Sequence, residues 1–234
     1  MKTYNYLVSP QDMDAQGSML VPSLCRSIIN SIGFFIKEEG FGVDVMRENG
    51  FCWVLSRYAF EFDSRPALYK PFNVSVWDGE SGNITLSRCI RLTDSKGAEI
   101  GRGVTDWCVI DRKTRSLIKP AAILKDKKGE QAPCARPDRI SAITIDSSES
   151  RLIHSSDCDF NGHVNNTKYV EMFYDMLPQV QKDTLGPLRL SAYFHKEARL
   201  GETLTLGLGK TDKGYNFVVA NPGATVCTLS LRSM

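Results

Sequence analysis

No run of apolar residues in this chain reaches the roughly 18 needed for a membrane-crossing helix. Its opening, Met1-Lys2 followed shortly by Tyr4, Tyr6 and Val8, lacks the basic-then-apolar build of a secretion signal. The expectation is a chain without signal or transit peptide and without a membrane span. Neither sign of charge dominates, with 29 basic against 27 acidic side chains, which argues against a nucleic-acid binder as a whole. The seven cysteines, Cys25, Cys52, Cys89, Cys108, Cys134, Cys158 and Cys227, are scattered, odd in number and never paired as CxxC. A zinc ribbon, a redox dithiol and a disulfide scaffold are thereby disfavoured, and the thiols read as reduced packing residues of a cytoplasmic protein. No G-x-S-x-G elbow for a serine nucleophile occurs. Histidine is scarce: His154, His163 and His195, all in the second half.

What the chain does have is the composition of an ordinary globule, 42% hydrophobic and 24% charged over 234 residues. It also has an internal repeat. Asp12, Asp14, Gln16 and Gly17 return as Asp157, Asp159, Asn161 and Gly162 at a constant offset of 145. Each copy precedes an amphipathic helix, marked by Leu24, Ile28, Ile29, Ile32, Phe35 and Ile36 in the first half and by Tyr169, Val170, Phe173, Met176 and Leu177 in the second. Pro22 suits a first helical turn, Asn165 or Asn166 an N-cap, and Pro178 ends or kinks the second helix.

Strand-rich stretches follow each helix, near 51–64, 71–79, 83–93 and 98–111, then 187–198, 202–209, 215–220 and 224–231. The turns between them, such as Asp94 to Gly97 and Asn221 to Gly223, are too short for crossover helices, so the strands pair antiparallel. Each half then reads strand, helix, four strands. A long helix followed by one antiparallel sheet buries its stripe by lying across that sheet, the α+β hotdog arrangement. The fold expected is a double hotdog: residues 1–119, a linker over 120–139, and residues 140–234.

From 112 to 139 the sequence is polar and basic, with nine basic side chains (Arg112, Lys113, Arg115, Lys119, Lys125, Lys127, Lys128, Arg136, Arg139) against Asp126, Glu130 and Asp138. It reads as a solvated tether or as a docking surface for an acidic partner.

The two copies of the loop differ chemically. His163 stands where the first copy has Ser18, beside Asp159 and Asn161 and just ahead of a helix start. Histidine moves protons near neutral pH, and backbone N–H groups at a helix start can polarise a carbonyl. A structural, hydrogen-bonding histidine is the competing reading. Asp157, Asp159, Asn161 and Gly162 also match the start of an EF-hand loop, yet the twelfth position, which should be Glu, is Lys168 in one copy and Ser23 in the other. Cys158 is flanked by two aspartates that disfavour its thiolate. Water is left as the nucleophile, and the strand after the second helix offers Glu197, 34 residues beyond His163, as its base, although alone it reads as a strand-end surface charge.

The chain resembles the acyl-acyl carrier protein (acyl-ACP) thioesterases, which release fatty acids from carrier protein in plants and bacteria. The marks are Asp159-x-Asn161-x-His163-Val-Asn-Asn-x-Lys168-Tyr169 and Tyr193-Phe194-His195-Lys196-Glu197, supported by Trp53 to Arg57, Trp77 with Ser81-Gly82, and Thr105-Asp-Trp107. Carried over, the resemblance implies a thioester hydrolase whose catalytic network is Asp159, Asn161, His163 and Glu197. Glu197 would take a proton from a water oriented by Asn161. His163 would assist the transfer or stabilise charge, and Asp159 would fix the loop. Many plant members carry a cysteine after the Glu; here it is Ala198, which closes a covalent route there. The first half, keeping the loop without Asn and His, would supply the acyl pocket, with Ile28, Ile32, Trp53 and Arg57 as candidate lining residues, although apolar residues at helical spacing are usually core. The resemblance implies no cofactor and no metal, acidic ACP as partner, and a cytoplasmic bacterial setting; a homodimer stays open. An acyl-coenzyme A thioesterase or dehydratase of the same fold, and a non-catalytic acyl-thioester-binding protein, are the alternatives.

Overall fold

In the computed structural model, which describes residues 1–119, 129–137, 140 and 143–234, the repeat in the sequence is a repeat in space. The first half runs β1 (Lys2–Leu7), a 3-10 turn (Pro10–Asp12), α1 (Val21–Ile36), a π-turn (Lys37–Phe41), α2 (Val43–Glu48), then β2 (Phe51–Phe62), β3 (Pro71–Gly79), β4 (Leu86–Asp94), β5 (Glu99–Asp111) and the short β6 (Leu117–Ile118). The second half repeats it as β7 (Ser147–Leu152), a 3-10 turn (Ser155–Asp157), α3 (Asn166–Met176), α4 (Gln179–Asp183), β8 (Leu188–Phe194), β9 (Thr203–Thr211), β10 (Gly214–Asn221) and β11 (Ala224–Ser233).

All these strands join one antiparallel sheet in the order β1-β3-β4-β5-β2-β8-β11-β10-β9-β7, with β6 on β5. Within each half the order is first, third, fourth, fifth, second. The two second strands, β2 and β8, meet at the centre, Arg57–Phe62 against Tyr193–Leu188. The expected double hotdog is therefore the observed fold, and the seam gives it approximate two-fold symmetry.

The helices lie where their stripes demand. Leu24, Ile28, Ile32, Phe35 and Ile36 of α1 and Tyr169, Val170 and Phe173 of α3 are buried. They pack over the sheet face that carries Tyr58, Phe60 and Phe62 of β2 and Leu188, Leu190 and Ala192 of β8. Each buried Leu, Ile, Val or Phe among them contributes about 1.5–3 kcal/mol of burial free energy. The helices also touch one another, and Arg26 of α1 bridges Asp12 at 2.6 Å and Glu171 of α3 at 3.5 Å. Asn165 is the N-cap of α3, its Oδ1 accepting the Thr167 N–H at 3.0 Å. Pro178 follows the end of α3 and opens α4.

Two sequence expectations are corrected. β8 stops at Phe194 rather than near 198, because the N–H groups of His195 and Lys196 both turn to the carbonyl of Val226, at 2.8 and 3.2 Å, and the chain leaves the sheet. Glu197 therefore sits in a loop rather than on a strand. The polar stretch from 112 is likewise not all tether. Residues 111–118 form the β5–β6 hairpin, and 129–137 lie on the sheet face opposite the helices, where Ala132 and Cys134 pack on Ala59, Trp77, Cys89 and Val104. Arg189 and Tyr193 donate to the carbonyls of Ala135 and Pro137. Lys125, Asp126, Lys127, Lys128, Asp138 and Arg139 fall outside the described residues.

Candidate active site

The repeated loop folds the same way twice because the same residue types recur. In the second copy, Asp159 Oδ1 accepts the Asn161 N–H at 2.8 Å, an Asx-turn, and the Asp159 carbonyl accepts from Gly162 at 2.9 Å. Gly162 has φ +75°, a left-handed conformation that glycine adopts without steric cost. Asp159 N–H donates to the His163 carbonyl at 2.8 Å, which closes the loop and carries the chain directly into α3. Behind it, Asp157 is buried and accepts from Arg151 and from the His154 N–H, both at 3.0 Å. Its carboxylate is consumed inside the loop, where an EF-hand aspartate would face the ion.

Val164 N–H donates to the carbonyl of Ala198 at 2.9 Å, and His163 bridges Arg199. This short pairing lays the loop alongside the segment that leaves β8. It brings His163 Nε2 to 3.3 Å from Glu197 Oε2, both side chains partly open to solvent. Asp159 Oδ2 lies 3.5 Å from Asn161 Nδ2, and Asn161 is exposed. Among the described residues, no hydrogen bond links the side chains of Asp159 or Asn161 to those of His163 or Glu197. The four are thus held as two pairs on one loop-and-segment unit. Ala198 is fully buried.

The first copy holds a different pair in the same frame. Asp14 Oδ1 accepts the N–H groups of Gln16 and Ser18 at 3.0 and 2.9 Å, and Gly17 has φ +79°. Met19 N–H donates to Pro66 O and Ser18 bridges Ala67, the counterparts of the Val164 and His163 pairings. In this frame Arg65 occupies the place of Glu197. It forms an ion pair with Asp14 at 2.6 Å, both side chains under 10% exposed, and donates to the carbonyls of Met19 and Leu185. A cation and a buried carboxylate locked together offer no base for water. A groove of about 520 Å³ lies over this first loop, not over His163, and its lining includes Gln16, Arg26, Lys168, Glu171 and Lys182.

Each loop is completed by the opposite half. Arg65 reaches Leu185, and Gln16 donates to Asp183 at 2.9 Å. Glu197, in turn, accepts from Arg115 of the β5–β6 hairpin at 2.5 Å. Sequence reasoning missed Arg115, which it counted within a basic linker. It also missed Cys52, at the start of β2, whose thiol is pushed up by burial while feeling Arg115, Glu197 and Arg112. No sequence signal joins 52 and 115 to 197, because strand pairing alone brings them together.

The other named candidates scatter. Ile28 and Ile32 are fully buried between α1 and the sheet. Trp53 donates from Nε1 to Phe41 O at 2.9 Å and packs near Met46 and Val109. Arg57 pairs with Asp106 at 2.7 Å, beside Arg136, on the face away from the helices, so it shares no wall with Ile28 and Ile32. His154 caps the 3-10 turn before Asp157, and His195 lies 3.2 Å from Thr228 Oγ1 and stacks on Tyr193. Among the described residues, His163 is turned toward a carboxylate, that of Glu197.

Comparison with known proteins fits this geometry. A chloroplastic acyl-[acyl-carrier-protein] hydrolase of Cuphea viscosissima is 28% identical over 178 residues, covering 71% of this chain and 43% of the relative. Oleoyl-acyl carrier protein thioesterase 1, chloroplastic, of Arabidopsis thaliana is 28% identical over 170 residues, covering 66% and 46%. The chain thus spans less than half the length of these curated relatives. The crystal structure of an acyl-ACP thioesterase from Bacteroides thetaiotaomicron superposes with a TM-score of 0.89 at 26% identity, covering 99% of this chain and 96% of that one. A 12:0-ACP thioesterase from Umbellularia californica shares the fold, with a TM-score of 0.85 at 17% identity over 99% and 96%. The acyl-ACP thioesterase N-terminal domain model matches residues 1–126 and the C-terminal domain model residues 141–225. With both halves matched in order, the chain belongs to the acyl-ACP thioesterase family.

Proposed function

We propose that this chain hydrolyses the thioester of fatty acyl-ACP to free fatty acid and carrier protein, terminating fatty acid synthesis. The observation that carries the reading is the pairing of His163 Nε2 with Glu197 Oε2 at 3.3 Å, in the copy of the loop where Glu197 stands in the place of Arg65. A thioester carbonyl is already electrophilic, so catalysis needs an aimed water, a polarised oxygen and a proton for the departing sulfur.

Water held between Glu197 and Asn161 attacks the carbonyl carbon as Glu197 takes its proton. The backbone N–H of Asn166, in the first turn of α3, receives the oxyanion. Collapse breaks the carbon–sulfur bond, and the proton reaches the thiolate through His163. Asp159 keeps its role in the Asx-turn that aims the loop. The acyl chain lies in the first half, along the apolar layer of Ile28 and Ile32 beneath α1, with Trp53 at its border. Arg57 is left out because it faces the other side of the sheet. Arg112, Lys113 and Lys119, exposed around the β5–β6 hairpin, suit the acidic surface of a carrier protein and steer its approach.

The test is hydrolysis of one acyl group presented on ACP and on coenzyme A, by wild type and by His163→Ala, Asn161→Ala and Glu197→Ala. The expected result is preference for ACP and loss of about 10²–10⁴-fold in turnover for the His163 and Glu197 variants, the usual scale of general acid–base contributions. Normal rates in all three folded variants would refute the site. Tight binding of acyl-ACP without turnover would favour a sensor instead.

A further inference from the structure

Glu197 is gripped from both sides of the molecule. Its Oε2 faces His163 of its own half, while its Oε1 accepts from Arg115 Nη2 of the other half at 2.5 Å. Arg115 is not a chance surface partner, because the turn that presents it is heavily specified. Asp111 Oδ1 accepts the N–H groups of Lys113 and Thr114 at 2.9 and 2.8 Å. The Asp111 carbonyl accepts from Arg115, and its N–H donates to Ser116 O, both at 2.9 Å. Arg115 itself has φ +60°, one of two left-handed non-glycine residues among those described. Holding a side chain there costs about 1–2 kcal/mol, and the surrounding hydrogen bonds enforce it.

We propose that Arg115 is a positioning residue for the thioesterase site. This rests on the proposed function above. The guanidinium holds Oε1, so the carboxylate presents Oε2 toward His163 and the attacking water in one orientation. The active site is then shared: the base comes from the second half and its clamp from the first, and catalysis requires the two hotdogs docked along β2 and β8. The first copy shows the same need for an arginine beside a carboxylate, but there Arg65 sits on the segment and shuts the site.

Arg115→Gly removes the guanidinium while relieving the left-handed backbone, so the hairpin is retained; Arg115→Ala and Arg115→Lys complete the set. With acyl-ACP, kcat falls about 10–100-fold in the Gly and Ala variants, the scale of a misplaced reacting group, while KM changes little. Arg115→Lys recovers part of the loss, and sub-denaturing guanidinium ion restores part of kcat to Arg115→Gly but none to Glu197→Gln. Wild-type kcat in Arg115→Gly, or a loss confined to KM, overturns the proposal, the latter assigning Arg115 to substrate binding. Glu197→Gln separates the two failures. If it is inactive while Arg115→Gly is normal, only the clamp is wrong; if it is active, the site itself is wrong.

Discussion

Replacing Arg65 by Ala tests whether the first loop is a locked remnant or a second working site. The substitution strands Asp14, whose side chain is almost wholly buried, without its cation. Breaking a buried ion pair from one side costs about 3–5 kcal/mol. The lower end applies here, because Asp14 keeps two backbone donors, Gln16 and Ser18. At about 2–4 °C per kcal/mol for a chain of this size, a cost near 3 kcal/mol lowers the melting temperature by about 6–12 °C. Removing both charges, as Arg65→Met with Asp14→Asn, spares most of that penalty, since the Asn oxygen still accepts from the two N–H groups and no bare charge is buried. Thermal unfolding of wild type, single and double variants measures the difference, and acyl-ACP turnover well below the transition stays at the wild-type level in both. Co-melting of Arg65→Ala with wild type would refute the ion-pair argument. A large fall in turnover with the fold intact would show that the first loop shares in the chemistry.

Cys52 lies within reach of the charges on Glu197 and Arg115, and burial pushes its thiol up, so it is a poor nucleophile; Cys52→Ser is expected to keep turnover within about threefold, and inactivation would demand a covalent route. Burial raises the carboxyl of Asp157, but the His154 N–H and Arg151 outweigh it and hold the group below the ordinary aspartate range. Asp12 behaves alike, its burial outweighed by Ser9, Ser23 and Arg26. A depressed folded pKa stabilises the protein above the unfolded value, about 3.9, and that stabilisation is lost as pH falls through the folded value. Asp12→Asn with Asp157→Asn is therefore expected to flatten the dependence of melting temperature on pH between about pH 5 and 2, and an unchanged slope would contradict it.

The sequence carried the halves of this molecule more clearly than their junction. An offset of 145 residues, two apolar stripes and short turns specify a helix on an antiparallel sheet twice over, because each follows from local periodicity. The loop could be read too, since Asp159, Asn161 and Gly162 make their turn from neighbours within three residues. What lay beyond local reading was everything decided by pairing between elements. The end of β8 is set by a carbonyl on β11, the position of Arg115 by the β5–β6 hairpin, and the side of the sheet that Arg57 faces by a bulge between Leu55 and Arg57. The basic stretch misled for the same reason: its composition is that of a tether, whereas Arg136 turns back to Asp106, Glu80 and Ser87 through contacts 30 to 56 residues away.

The two copies together say why one scaffold is needed twice. A single hotdog half offers a loop, a helix start and a segment beside them, but Glu197 and Arg65 each take a partner from the half across the seam. Duplication within one chain frees the two sites to diverge, since each draws on a different set of residues. At one, histidine and glutamate stand where the other has serine and arginine, and the pair they form is reached by solvent. At the other, Asp14 and Arg65 keep the frame rigid. Placing the same pair in the first loop would take at least Ser18→His with Arg65→Glu. That pair leaves Asp14 and the new glutamate facing each other, so the double variant is expected to lose stability without gaining turnover unless Asp14 gives up its buried place. Turnover that survives Glu197→Gln in that background would show that the two frames are chemically interchangeable.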